Sequence, residues 1–237
     1  MNKFTKIILI TVCILFGLGL LLTGGMYYFQ KLSPIAENDP DQGSFTKLID
    51  AKEIKEVHID MSYGDVVFTE GSEWSVYFDR VYIPKADAEV TDGFLKIETG
   101  TPGDIKLFGW RLGFNIDFNT EKRAKVTITY PAGTKLNVID SQLGQGGLYA
   151  KGISAESLIC QTCAGKVELK DSKIEREASV QVVLGSFEAE NTKFRNSFVK
   201  MAIGNCSINT DETSRLADVE TEIWLGGKNG KLTGFWK

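Results

Sequence analysis

Two glutamates offer the most direct route to chemistry in this 237-residue chain. Glu168 and Glu188 each lie three residues after a glycine, in the segments GKVELK and GSFEAE. If these segments are neighbouring strands in register, the two residues lie about 5 Å apart. Carboxylates at that separation fit a retaining glycosidase or a cation site. Lys166, Lys170 and Glu190 share the same face, however, and they favour a solvated ladder of alternating charge.

The cysteines and the one histidine give weaker signals. Cys160 and Cys163 have the spacing of a redox pair, but no helical pattern accompanies them to lower the pKa of the first thiol. Zinc would need further ligands, and His58 has the pattern of an ordinary strand residue. We expect buried free thiols at Cys160, Cys163 and Cys206, with a disulfide as the alternative. The sequence predicts no catalytic residue, no cofactor and no metal site.

An aromatic stretch is the best candidate for contact with a ligand. The segment KLFGWRLGFNIDF, residues 106–118, places Phe108, Trp110, Arg111 and Phe114 around two glycines. Aromatic and arginine side chains are favoured in binding patches, and aromatic faces can stack on sugar rings. The alternative is a hairpin whose rings cover the end of the hydrophobic core. These four residues are called the aromatic patch below.

The elements that position these residues follow from a repeat. Five glycines, interpreted as structural, recur at intervals of 19 to 22 residues: Gly144, Gly165, Gly185, Gly204 and Gly226. Apolar side chains stand two and four residues after three of them: Val167, Leu169, Phe187, Ala189, Cys206 and Ile208. This alternation predicts strands with one buried face, and glycine suits turns or bulges that need positive φ.

A period near twenty without a helical pattern predicts an all-β fold, a β-solenoid or β-helix-like stack of short strands. Each coil buries its apolar face only by stacking on the next. An antiparallel β-sandwich is the alternative, because its strands also recur at short spacing. The region from Ile54 to Leu136 repeats the theme more loosely. We therefore predict one extracytoplasmic β-repeat domain over residues 48–237.

The first 47 residues predict a membrane anchor followed by a linker. Residues 7–29 form an uncharged, mostly apolar run of 23 residues, long enough to cross a bilayer as a helix. A cleaved signal peptide is the alternative, although its apolar region is usually shorter. Lys3 and Lys6 place the short segment 1–6 inside the cell and the C-terminal domain outside. Residues 30–47 contain prolines and acids typical of a linker.

Charge excludes some classes of partner. The chain has 27 Lys and Arg residues against 31 Asp and Glu residues, which gives a formal net charge of −4. Three of the lysines flank the predicted helix, so the exterior part is more acidic still. Nucleic acid and an anionic membrane surface are therefore poor partners. The expected partners are the cell membrane, through residues 7–29, and an envelope polymer or a membrane protein.

The start of the β region resembles a known family. The pattern I-x-x-V-x-I-x-x-x-x-G-D-V is formed by Ile54, Val57, Ile59, Gly64, Asp65 and Val66. Together with the N-terminal span and the serial glycine–strand units, it resembles the bacterial envelope family of unknown function labelled "putative adhesins". The resemblance implies an extracytoplasmic β-repeat domain that is often linked to the cell surface or to envelope stress. It carries no catalytic residue that could be transferred to this chain.

Two functions follow from these observations. The first is a non-enzymatic, single-pass, membrane-anchored module of the bacterial cell envelope that binds an envelope component or a partner membrane protein. The alternative is an envelope carbohydrate-active enzyme that uses Glu168 and Glu188. The two hypotheses differ in whether these glutamates line a concave groove or lie on a convex face paired with lysines.

Overall fold

The computed structural model describes residues 41–50, 53–101, 105–107, 110–112, 123–209 and 218–229. The predicted transmembrane helix 7–29 and most of the predicted linker lie outside these residues, as do Phe108 and Phe114. Within the described ranges, no helix combines the length and the hydropathy that crossing a bilayer requires.

Strands and one short 3-10 helix make up the regular structure of the described residues. In chain order the strands are β1 (Gln42–Leu48), β2 (Glu56–Tyr63), β3 (Asp65–Gly71), β4 (Ser75–Tyr82), β5 (Asp87–Thr91), β6 (Phe94–Thr99), β7 (Ile105–Leu107), β8 (Trp110–Leu112), β9 (Lys125–Pro131), β10 (Lys135–Gln145), β11 (Leu148–Lys151), β12 (Ser154–Lys170), β13 (Lys173–Glu190), β14 (Lys193–Phe194), β15 (Asn196–Asn209) and β16 (Asp218–Asn229). The 3-10 helix Ile83–Lys85 lies between β4 and β5. The described chain is all-β, as predicted.

The second half of the chain stacks its strands in parallel. β10, β12, β13, β15 and β16 lie side by side in that order. One line of register partners crosses all five strands: Leu143, Thr162, Val182, Met201 and Ile223. Successive members of this line are 19 to 22 positions apart in the chain. Each strand is therefore one coil further on than its neighbour, which is the solenoid-like arrangement that the glycine period predicts.

The first half of the chain extends the same sheet. The strand order is β1-β4-β9-β3-β11-β12-β10-β2-β6-β5, with β13, β15 and β16 continuing from β12. Parallel pairs join β2 to β10 and β6, and β3 to β9 and β11. In the described part, antiparallel pairing is confined to β1–β4, β4–β9, β5–β6 and the hairpin β7–β8. The body is a parallel stack, so the antiparallel sandwich is not the fold.

β1 overlaps the stretch 30–47 that was predicted to be a linker. Phe45 stacks on Phe78 of β4, with ring centroids 4.7 Å apart, and Ser44 Oγ donates a hydrogen bond to Asp79 Oδ1 at 2.8 Å. The polar composition of this stretch did not predict a strand. β1 pairs with β4 through its backbone, and of its side chains only Phe45 packs against the core. The sheet therefore includes residues 42–47 of the stretch predicted as a linker, and the predicted domain bounds of 48–237 stay a prediction.

Inward-facing side chains form columns that run along the stack. One column consists of Leu148, Val167, Phe187 and Cys206, and the next of Ala150, Leu169, Ala189 and Ile208. Every member of both columns is buried. Because each coil covers the apolar side chains of its neighbour, the coils share one hydrophobic core and none is stable alone.

A column of glycines crosses the stack beside this core. Its members are Gly64, Gly146, Gly165, Gly185, Gly204 and Gly226. An added Cβ at any of the last five would lie 1.6–1.8 Å from the carbonyl oxygen of the preceding glycine in the column. Gly144 is not a member, since Gln145 pairs with Ala164 and thereby sets Gly146 opposite Gly165. The repeat anchor in the first coil is therefore Gly146, a correction of two residues.

Directly after β11, β12 and β13 the coils turn a corner, and left-handed residues form it, as turn chemistry favours. Gly152, Asp171 and Asn191 have φ values of 73°, 48° and 48°. Each donates its backbone N–H to a carbonyl of the following coil, namely that of Lys170, Glu190 or Asn209. Asn191 Nδ2 also donates to Asp171 Oδ1 at 2.7 Å. This corner therefore links successive coils through both main-chain and side-chain hydrogen bonds.

We expect Gly185→Ala to lower the free energy of unfolding by about 2 kcal/mol or more. Its Cβ would lie 1.8 Å from the carbonyl oxygen of Gly165, and its φ of +146° is rarely adopted by L-residues. Urea unfolding followed by circular dichroism measures the loss. Gly133→Ala is the matched control, because Gly133 also has positive φ (+75°) but no atom within 4 Å of the added Cβ. Equal losses in the two variants would contradict a steric origin.

Candidate functional site

The two predicted glutamates lie on a coil face that forms a lysine-bridged ladder. Glu168 of β12 and Glu188 of β13 are register partners. Lys166 Nζ lies 2.6 Å from Glu168 Oε2 and 2.7 Å from Glu188 Oε2. Lys170 Nζ lies 2.8 Å from the other oxygen of Glu168, Oε1. Both carboxylates are thus paired with lysine ammonium groups, and this is the charged ladder that the sequence favoured.

These contacts stabilise the ionised form of Glu168. Hydrogen bonds from Lys166 and Lys170 hold the pKa of this carboxyl below its ordinary value. A glycosidase acid instead needs a raised pKa in order to carry a proton at neutral pH. The pair has the separation of register partners, but the lowered pKa of Glu168 does not suit the role of proton donor.

An open pocket of about 280 Å³ lies on the outer faces of β10, β2 and β6. Its lining side chains lie in two rows of register partners, first Asp140, His58 and Lys96, then Gln142, Asp60 and Glu98. Phe94 of β6 also lines it. The lining contains three carboxylates and one ammonium, so its formal charge is −2 with a neutral imidazole. We call this the His58 pocket.

His58 stands at the centre of the pocket. Its ring packs on Phe94, with centroids 4.3 Å apart and an interplanar angle of 31°. Its Nδ1 lies 3.4 Å from Asp140 Oδ2, and its Nε2 lies 3.6 Å from Glu56 Oε2. Nε2 is buried and has no hydrogen-bond partner among the described residues. This site was not predicted from the sequence, because its groups come from strands that are separated by about forty residues or more.

A second exposed feature is apolar. Val183, Leu184, Ile203, Trp224 and Leu225 are each between 43% and 73% exposed. Leu184, Ile203 and Leu225 are register partners on three successive coils. They immediately precede glycines of the column, where the strict alternation of buried and exposed side chains is interrupted. We call these five residues the corner ridge. The apolar residue before each glycine is visible in the sequence, but there it indicated the repeat and not an exposed surface.

In the described part of the chain, Cys160, Cys163 and Cys206 are not joined in disulfides. Cys160 and Cys206 are buried, whereas Cys163 is half-buried. Burial raises the pKa of the Cys160 thiol to about 12 and also raises that of Cys163. Both thiols are therefore protonated at neutral pH and are weak nucleophiles, which does not favour redox chemistry at the CQTC motif.

Two residues of the aromatic patch, Trp110 and Arg111, belong to β8, which pairs antiparallel with β7. Leu107 is the register partner of Trp110, and Lys106 that of Arg111. β8 runs close to β2 and β10. Phe108 and Phe114 lie outside the described residues, and of Trp110 and Arg111 only the backbone is described. Contact between this patch and a ligand stays a prediction. In the described ranges, no group of three or more His, Cys, Asp or Glu side chains is arranged to hold a metal ion.

The repeat architecture agrees with a family match. The family model described as Toastrack DUF4097 matches residues 54–222. The chain belongs to this family. The Toastrack match begins just before β2 and ends within β16, so it includes the lysine-bridged ladder, the His58 pocket and the glycine column up to Gly204. Among curated proteins, none matches the chain.

Three of the solved structures that match the chain come from bacteria. A "putative cell adhesion protein" from Clostridium sporogenes is 16% identical, with 80% of this chain and 98% of that chain covered and a TM-score of 0.48. A "putative adhesin" from Bacteroides fragilis is 13% identical, with 79% and 94% covered and a TM-score of 0.37. A "putative lipid binding protein" from Parabacteroides distasonis is 16% identical, with 82% and 96% covered and a TM-score of 0.29.

We expect Glu168→Gln to lower the free energy of unfolding by less than about 1 kcal/mol at neutral pH, because the pairs it removes are partly solvated. The pKa of Glu168 is lowered by folding, so its contribution is present above the unfolded pKa and is lost as pH falls through the folded pKa. Urea unfolding should show the difference from wild type shrinking once the pH falls below the ordinary value of 4.5.

Glu190→Gln is the control for this prediction. Glu190 lies 3.8 Å from Lys170 and its side chain is 64% exposed, so its removal should have no measurable effect at any pH. A difference between wild type and Glu168→Gln that grows on acidification would contradict the assigned sign.

Proposed function

We propose that this Toastrack protein is a non-enzymatic, single-pass module of the bacterial cell envelope. Residues 7–29 anchor it in the membrane, with the N-terminus inside and the β domain outside. The β domain binds an envelope component or a partner membrane protein. The corner ridge is the observation that carries this proposal, since it is an apolar surface whose residues contribute little to the core.

The composition of the corner ridge supports a role in binding. Exposed apolar side chains are ordinary when scattered singly, but contiguous ones mark interaction surfaces. Register pairing places Leu184, Ile203 and Leu225 in a line that spans roughly 10 Å across three coils. Trp224 adds an aromatic side chain, the type most enriched at binding hot spots. Lys200 and Glu222 form an ion pair at 3.1 Å. Glu222 stands two residues before Trp224 on β16, and such a pair resembles the polar rim of an interface.

The pairing of Glu168 and Glu188 with lysines does not favour the enzymatic alternative. Glu168 and Glu188 share Lys166, and the lowered pKa of Glu168 opposes a role as proton donor. The lysine-bridged ladder is a lysine-paired face of the kind expected for the binding module and not for the enzyme. No observation on the described residues favours a carbohydrate-active enzyme, so a binding module is the better supported function.

The double variant Leu184→Ser, Ile203→Ser should lose capture of a cross-linked partner from intact cells. Because both side chains are about half exposed, the free energy of unfolding, measured by thermal denaturation, should change by less than about 1 kcal/mol. Leu48→Ser is the control, since Leu48 is also an exposed apolar residue, at 71%, but lies on β1, outside the corner ridge. Unchanged capture by the double variant, or equal loss in the control, would remove the ridge from the proposal.

Deletion of residues 1–29 should move the protein from the membrane fraction to the soluble fraction, because the 23-residue apolar run is the predicted anchor. Cell fractionation measures this, and intact mass of the membrane-bound full-length protein tests whether the run is retained. A mass that lacks the first residues would instead identify a cleaved signal peptide. Protease added to spheroplasts, whose cytoplasmic membrane is intact, should digest the β domain, and protection of the domain would contradict the orientation.

A further inference from the structure

We propose that residues 230–237 form a strand that pairs antiparallel with β16 and covers the C-terminal end of the stack. These residues follow β16 directly and lie outside the described ranges. Three observations support this contact: the core is open at β16, a hairpin closes the opposite end of the same strand order, and the segment after β16 has the sequence of a hairpin. The contact is separate from the one proposed for the corner ridge.

The hydrophobic core is open at β16. In the described part of the chain, β16 pairs with β15 and with no further strand. Ile223 of β16 continues a line of register partners that are at most 1% exposed: Leu143, Thr162, Val182 and Met201. Ile223 itself is only partly buried, and its neighbours Trp224 and Leu225 are 73% and 66% exposed. Among the described residues, the last coil therefore lacks the cover that each earlier coil receives from the next.

An antiparallel hairpin closes the opposite end. The strand order there is β10-β2-β6-β5, and β5 pairs antiparallel with β6. The loop between them consists of Asp92 and Gly93, with φ values of 53° and 80°, and positive φ at both positions is typical of a type I′ turn. Leu95 and Ile97 of β6 have register partners on β5 and are 0% exposed. At this end, a short antiparallel strand accompanies complete burial of the last parallel strand's apolar side chains.

The segment after β16 has the same hairpin chemistry. Asn229 and Gly230 form an Asn-Gly pair, which, like Asp-Gly, is a strong signal for a short hairpin loop. The sequence continues as KLTGFWK, with the aromatic residues Phe235 and Trp236 near its end. A loop of two or three residues that starts at Asn229 sets this aromatic pair opposite residues 223–225. The two rings are then at the place where the core is open.

Charge favours this segment over a second copy of the chain as the occupant of the edge. β16 carries three acids, Asp218, Glu220 and Glu222, against one lysine. A second β16 would add the same excess of acids, whereas residues 230–237 contain two lysines and no acid. A segment joined to β16 by a short loop is also present at a high effective concentration. Once paired, it removes an open strand edge to which another chain could add.

Hydrogen exchange of the full-length protein in detergent micelles, measured by mass spectrometry, tests the contact. The slowest amides of residues 230–237 should exchange roughly tenfold or more slowly than those of a synthetic peptide of the same sequence, because pairing with β16 protects their N–H groups. The protection should be the same at two protein concentrations. Exchange at the rate of the free peptide would overturn the proposal. Protection that is lost on dilution would also overturn it, since a second copy would then cover the edge.

An aromatic double variant tests whether the segment covers the core. Phe235→Ser, Trp236→Ser should return the exchange of residues 230–237 to within about twofold of the free peptide, because the rings that bury apolar surface at Ile223 are removed. Thr233→Ser is the control, since it lies in the same segment and keeps both rings and both lysines. Protection that survives in the double variant, or equal loss in the control, would overturn the proposed cover. Leu184 and Ile203, the residues that test the corner ridge, lie on β13 and β15, so the two proposals fail independently.

Discussion

The close approach of successive main chains at the glycine column is the constraint on which the rest of the structure depends. At each step a carbonyl oxygen occupies the space where a Cβ would otherwise be, at 1.6–1.8 Å from its ideal position. No side chain fits there. The column therefore fixes which residue of each coil faces its neighbour, and a slip of one residue would turn the buried columns of Val167 and Leu169 towards solvent.

Three surface features of the described residues follow from the register between strands. In-register stacking brings Glu168 beside Glu188 and sets Lys166 between them, which converts two separate acids into a neutralised ladder. It also aligns Leu184, Ile203 and Leu225 into one exposed line. On the N-terminal coils the same rule assembles the His58 pocket from β10, β2 and β6. The residues that form each surface feature therefore come from neighbouring strands and not from one continuous segment of the chain.

The sequence predicts the repeat half of the fold well because its signal is local and recurs. Gly165, Gly185 and Gly204 are spaced evenly, and Phe187 and Cys206 follow at the same offsets. The sequence pattern does not predict structure where paired strands are distant in the chain or where a strand is mostly polar. Gln145 and Ala164 decide that Gly146, not Gly144, enters the column, and Phe45 makes a strand of an apparent linker. The His58 pocket could not be predicted, because its three carboxylates lie on different strands.

The corner built from Gly152, Asp171 and Asn191 gives the stack a modular length. Each of these residues closes one coil by a hydrogen bond to the coil that follows, so a coil's contacts are complete with one neighbour on each side. Duplication or loss of a twenty-residue unit in the second half would lengthen or shorten the body by roughly 4.8 Å, while the pocket on the first coils kept its shape. Such a scaffold can change its reach in evolution without rebuilding the surface that it carries.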